Sequence, residues 1–188
     1  MTIWQLRADD DYNSAFLVDQ NGDQCYDNGE DFLEIKANPY IRELMIEKGT
    51  KGFPDIMYYG GILGSCVVSN KAKSLIEYYF SELAIQFIPC SSKQYPNVKM
   101  WILNVCEYHD VFDVENSIYK TLINHKGEKR ISYINKYAFT KEAFEYGLFK
   151  IFIDGYKSPI CLYVSDRFKT IMEENGVTGL DLENIYSI

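Results

Sequence analysis

With 188 residues, 47% of them hydrophobic and 24% charged, the chain has the balance of one soluble globular domain and not of a disordered segment. Its net charge of −8 argues against nucleic-acid binding, which needs basic patches. Five widely spaced cysteines (Cys25, Cys66, Cys90, Cys106, Cys161), no Cys-x-x-Cys and only His109 and His125 argue against a structural zinc site. No apolar run reaches the length of a membrane span, and the first residues lack a signal core, so a cytoplasmic protein with reduced thiols is expected.

Taken in order, Ile3 to Leu6 and Ala15 to Val18 read as short strands on either side of the turn-prone Asp9-Asp10-Asp11-Tyr12-Asn13. The acid is concentrated here. Residues 1–34 hold seven Asp together with Glu30 and Glu34, against Arg7 alone, so the rest of the chain is close to neutral. Such a segment is either a solvated acidic loop or a surface for a basic protein partner. Asp23, Asp27, Asp31 and Glu34 fall at four positions of a calcium-loop frame. Cys25 and Asn28 occupy the places where that frame needs an oxygen ligand and a glycine, so no metal site is assigned. Asn38-Pro39 predicts a helix start, with Ile41, Leu44 and Met45 as its apolar stripe and Gly49 as its end. The Gly-rich stretch that follows (Gly49, Gly52, Gly60, Gly61, Gly64) matches no phosphate-binding pattern and reads as a mobile loop.

A stretch that occurs twice comes next. Val67-Val68-Ser69-Asn70-Lys71 through Glu77 returns as Tyr163-Val164-Ser165-Asp166-Arg167 through Glu173. Each copy predicts a strand running into a helix, with Ser69 and Ser165 as N-caps. Replacing Ser165 by alanine is therefore expected to cost about 1 kcal/mol. Each helix leads to a further apolar stretch, 84–88 and 180–185. Between the copies, Val98 to Cys106 is apolar on both faces at its centre, as expected of a central strand. Glu107 to Asn116 follows, with four acids and no cation. Ile118–Ile123 and Arg130–Tyr137 predict a hairpin across His125-Lys126-Gly127-Glu128. Thr140 begins a short helix that Gly147 ends, Leu148–Ile153 is a strand, and Asp154 to Pro159 is a turn. The fold class predicted is α+β, one domain over 1–188 with a mixed or antiparallel sheet and a twice-repeated strand–helix–strand module.

No catalytic residue and no cofactor is assigned. Cys106, His109 and Asp110 form the one cluster that resembles a nucleophile with its base. Their spacing across a strand end sends the thiol and the imidazole in different directions. Asp110, Asp113 and Glu115 fit partner contact better than metal binding, since no histidine is aligned with them.

Several motifs together resemble a known family. Trp101-Ile102-Leu103-Asn104-Val105 leads to the acidic turn Asp110-Val111-Phe112-Asp113. Val164-Ser165-Asp166-Arg167-Phe168-Lys169 leads to Gly176-Val177-Thr178-Gly179-Leu180. Phe53-Pro54-Asp55-Ile56 and Val68-Ser69-Asn70-Lys71 also fit. These are similar to the immunity protein 11 family of bacterial polymorphic toxin systems. The resemblance runs from about residue 50 to the C-terminus, and the acidic segment 1–49 fits loosely. It implies a cytoplasmic protein, not an enzyme, whose partner is a cognate toxin domain, often a basic nuclease; nucleic acid and membrane are not expected partners. The partner-binding residues expected from the acidic loops are Asp9, Asp10, Asp11, Tyr12, Tyr108, Asp110, Asp113 and Glu115. The competing readings are a small-molecule-binding or structural α+β protein, and an enzyme using His109 with nearby carboxylates.

Overall fold

A computed structural model describes residues 1–7, 9, 11–18, 21, 40–60 and 64–188. The Asp23–Glu34 calcium frame and the Asn38-Pro39 helix start lie outside the described residues. The elements are β1 (Thr2–Arg7), β2 (Ser14–Leu17), β3 (Arg42–Glu47), β4 (Ile56–Tyr58), β5 (Cys66–Ser69), α1 (Asn70–Tyr79), β6 (Ile85–Ser91) and β7 (Met100–Val105). They continue with β8 (Tyr108–His109), β9 (Ile118–Ile123), β10 (Lys129–Lys136), a 3-10 turn (Lys141–Glu145), β11 (Leu148–Ile153), β12 (Tyr156–Ser165), α2 (Asp166–Glu174) and β13 (Asp181–Ser187).

The strands form a six-stranded sheet in the order β2-β3-β6-β7-β5-β4, a five-stranded sheet β13-β1-β12-β11-β8, and a separate pair β10-β9. With mixed sheets and two helices among the described residues, the fold class is α+β. Side chains alternate across each strand, and that alternation divides the core. Val68, Leu103 and Val105 of one sheet meet Leu148, Leu162 and Val164 of the other, and Ala72, Ile76, Phe168 and Met172 of the helices close the same cluster. The opposite face of the six-stranded sheet carries Leu44, Ile46, Val67, Ile88 and Ile102. The opposite face of the five-stranded sheet carries Ile3, Phe149, Ile151 and Tyr163. Both sheets are thus covered on two sides, which is why 100–103 and 148–149 are apolar on both faces.

β5 and β6, joined through α1, both pair antiparallel with β7, which lies between them. β12 and β13, joined through α2, flank β1 in the same way. The two helix starts differ, however. Ser69 Oγ accepts from Ala72 N at 3.2 Å and donates to Asp55 Oδ1 at 2.7 Å. Ser165 occupies the N-cap position but its hydroxyl, buried, makes no cap bond and has no partner among the described residues. Asp166 is turned instead to β1, taking Thr2 N at 2.9 Å and Trp4 Nε1 at 2.8 Å. The capping expectation for Ser165 is therefore corrected. Ser69→Ala should cost about 1 kcal/mol in urea denaturation, whereas Ser165→Ala should change stability by less than about 0.5 kcal/mol. Equal losses in the two variants would contradict this.

Three other expectations change. Residues 42–47 form β3 and not a helix. β3 pairs antiparallel with β2 on one side and parallel with β6 on the other, and its alternate residues Leu44 and Ile46 are buried. The 3–4 spacing of Ile41, Leu44 and Met45 fits a helix equally well, and strand partners distant in sequence decide between the two. The Gly-rich stretch is docked, not mobile, over its described part. It contains β4, and a Cβ at Gly49 would lie 2.2 Å from the Tyr12 carbonyl carbon. The turn after β11 is Asp154-Gly155 alone, both with positive φ (55° and 76°), so Tyr156 to Pro159 already belong to β12.

Candidate partner-binding surface

The acidic residues singled out from the sequence lie in two separate places. Asp9 and Asp11 close a tight turn, with Asp11 N donating to Asp9 Oδ1 at 3.0 Å and Tyr12 N to Asp9 O at 3.1 Å. Lys51 bridges both carboxylates, at 3.7 Å and 2.8 Å, and lies over the Tyr12 ring. Nothing in the sequence ties residue 51 to this turn, so the neutralising cation was not foreseen. Asp10 lies outside the described residues.

The second group surrounds the root of the β9–β10 hairpin. Asp113 accepts from Asn116 N at 3.1 Å and from Asn116 Nδ2 at 2.7 Å, and the asparagine holds its carboxyl below the usual range. Ser117 Oγ donates to Asp113 O and accepts from Ala138 N, fastening the loop to the returning strand. Asp110, Val114 and Glu115 are exposed around this anchored turn, while Val111 and Phe112 are buried beneath it. Tyr108 is half-buried. Its ring packs on Phe152 and lies between Lys150 and Lys157, and burial pushes its hydroxyl up to about 12. No hydrogen bond or ion pair among the described residues joins the two acidic groups.

His109 lies in the same region. Its Nε2 is 3.0 Å from Glu107 Oε1 and its ring stacks on Tyr146. Burial lowers its pKa, against the pull of Glu107 in the other direction. Tyr108 and Lys150 are among the electrostatic neighbours of Cys106. The carboxylate on His109 is thus Glu107, not Asp110. No group of three or more His, Cys, Asp or Glu side chains that could hold a metal ion occurs among the described residues, and no helix there is long and apolar enough to cross a membrane.

With this geometry in place, the profile of the immunity protein family Imm11 matches residues 11–187. The chain belongs to that family. Membership carries a toxin-immunity role. The match also takes in most of the acidic N-terminal part, beyond the region from residue 50 that the motifs alone indicated. No curated protein matches the chain.

Three of the motifs by which the Imm11 resemblance was recognised meet in space, at Asp55. Its carboxylate takes Ser69 Oγ at 2.7 Å, Thr178 N at 3.1 Å and Lys71 Nζ at 3.4 Å, and Lys71 Nζ also reaches Gly176 O at 2.6 Å. The backbone of 55–56 bonds in turn to Thr178 O. Gly179, at φ +82°, passes so close that a Cβ there would lie 2.1 Å from Ile56 O. These family motifs fasten the two sheets together. They are scaffold.

What the sequence reading passed over is the surface beside the second acidic group. The β9–β10 hairpin packs Ile131 and Ile134 against the core and leaves Leu122, Ile123 (73% exposed) and Tyr133 (60%) in solvent. Across it, Ile118 faces Lys136, Lys120 faces Tyr133 and Leu122 faces Arg130, so each of these cross-strand pairs sets a cation beside an apolar side chain. Residues 118–136 hold five cations against Glu128 alone, within a chain of net charge −8. The predicted hairpin pattern was the available signal; that it stands apart from both sheets was not in the sequence.

Proposed function

We propose that the chain neutralises a cognate toxin domain of a polymorphic toxin system by direct protein–protein contact, in the cytoplasm of the cell that makes both. The observation that carries this is the family match over nearly the whole chain. The candidate contact is the anchored acidic loop of Asp110, Asp113 and Glu115, with Tyr108 at its base. Exposed Val114 and Ile118 lie beside it, giving the mix of charge and apolar area that protein interfaces use. Asp9, Asp10, Asp11 and Tyr12 form a secondary candidate, weakened because Lys51 already meets the charge of Asp9 and Asp11. A toxin with a basic face, such as a nuclease that holds phosphates, fits the acidic loop. In this reading the two strand–helix–strand runs are one module used twice, and both belong to the framework.

Co-expression with the toxin domain encoded beside this gene tests the function: growth should be restored by this chain and not by an empty vector. For the site, reversing Asp110, Asp113 and Glu115 to Lys should weaken toxin binding by roughly tenfold or more and flatten its salt dependence. Unchanged affinity and salt slope would remove the loop from the interface.

A further inference from the structure

The hairpin next to the acidic loop has an open edge, and that edge borders a groove. β10 pairs with β9 on one side and with no described strand on the other. Five consecutive residues of β10, 130–134, line a groove of about 410 Å³. The bulges of β10 interrupt the usual alternation, so Ile131 and Ile134 both pack against the cluster of Phe149, Ile151 and Tyr163, while the strand's edge has no described partner. The opposite wall is residues 156–159 at the start of β12. There β12 is paired with β11 through Tyr156, Lys157 and Ser158, while β1 reaches it only from Leu162 to Ser165. The second wall is thus also an edge open on its groove side among the described residues. Tyr137 and Tyr163 add aromatic lining, and the one carboxylate in the lining, Asp154, lies 3.9 Å from the Arg130 guanidinium. Arg130 ties the two walls together, its guanidinium bonded to Tyr156 Oη and stacked 3.7 Å over that ring.

Open strand edges are templates for another strand, and they are normally protected by charge and bulges. β10 has both. Lys129 and Lys136 stand at its two ends, and its register with β9 shifts twice. Lys157 lies on the opposite wall, but its ammonium turns away to lie over the Tyr108 ring, so the cations at this edge are those of β10. A second copy of this hairpin laid along the edge would set cations against cations. A strand carrying carboxylates would meet them favourably and would place its apolar side chains on the tyrosines.

We propose that an extended acidic segment of the toxin docks along the open edge of β10, its carboxylates facing Lys129 and Lys136 and its apolar side chains entering the groove. This rests on the toxin-immunity reading above and adds the chemistry of the partner segment: the toxin meets the acidic loop with cations and the adjoining hairpin with carboxylates. Main-chain pairing supplies a sequence-tolerant part of the affinity, and the cations and the groove select the segment.

The test uses the full chain and a catalytically inactive form of the toxin domain encoded beside its gene. Calorimetric titration of wild type is compared with K129E/K136E, whose fold is checked by thermal unfolding. Hydrogen exchange on the wild-type complex is the second measurement, because it does not depend on the variant. The expected result is an affinity loss of roughly tenfold or more for the variant, with new protection of the amides of 130–134 and 156–158 on binding. Undiminished affinity together with protection confined to 108–116 would overturn the proposal and leave the immunity function standing. Failure of the wild-type chain to bind or to rescue would overturn the immunity function itself. Two outcomes would reassign the edge: a wild-type dimer that the variant dissolves, which assigns it to a second copy, or binding to phosphatidylserine vesicles that the variant abolishes, which assigns it to an anionic membrane.

Discussion

Replacing Asp55 with alanine is expected to destabilise the fold by about 3 kcal/mol at neutral pH, measured by urea denaturation. The carboxylate is mostly buried and is the common acceptor for Ser69 Oγ, Thr178 N and Oγ1, and Lys71 Nζ. Removing it strips the Ser69 hydroxyl of its acceptor, unpairs the lysine and frees the Thr178–Gly179 segment that crosses to β13. The pH dependence has a definite sign. Burial alone would raise the Asp55 carboxyl, but Ser69, Thr178 and Lys71 together hold it below its ordinary 3.8. A carboxylate depressed in the folded state contributes stability that is fully present above its unfolded pKa and lost as pH falls through the folded one. Asp55→Asn should therefore lie well below wild type at pH 7, and the gap should close at acid pH below the folded value. A gap that stays constant down to that pH would mean that shape, not charge, makes the contribution.

The second large effect has the opposite direction. Lys150→Met is expected to stabilise the protein by about 3 kcal/mol at pH 7. Lys150 lies on β11 with the same side-chain parity as Leu148, so it points into the core shared by the two sheets and the helices. It is fully buried, its Nζ has no hydrogen-bond partner among the described residues, and the Tyr108 ring lies 5.8 Å away. Burial pulls its pKa from 10.5 down to about 8, with only Cys106 and Cys66 opposing. Between these two values the unfolded chain binds the proton that the folded chain has released, so wild-type stability rises with pH across that window. Below pH 8 the cost of the buried charge is complete; above about 10.5 it is gone. Methionine keeps the length of the side chain without the charge. The variant's advantage should thus be full at pH 7 and shrink toward zero near pH 11. An advantage independent of pH would falsify the charge explanation, and no advantage at all would mean that the amine finds compensation.

Local pattern was enough for a good part of this molecule. Leu148–Ile153 and Ile118–Ile123 form strands with the bounds the apolar runs indicated, and the central placement of β7 followed from its two apolar faces. Asn175-Gly176 ends α2 as expected, because glycine there adopts φ +60°. Residues 42–47 misled because their spacing satisfies two periods at once. Ser165 misled in another way: it has the cap position of Ser69, yet only Ser69 bonds the helix.

For the binding surface, the acidic residues were visible as composition, and their fates were not. Lys51 pairs with Asp9 and Asp11 from forty positions away, whereas Asp110, Asp113 and Glu115 stand at the root of an exposed hairpin. The sequence by itself determined the α+β class, the location of most strands and, through short motifs, the family. Those properties depend on neighbours along the chain, where side-chain alternation and turn chemistry act directly. Tertiary structure decided which motifs are fastenings, which carboxylates meet a cation, and that among the described residues the hairpin stands outside both sheets with an open edge. Each of these depends on which distant residues come within a few ångströms, and that is fixed only when the sheets close over a common core.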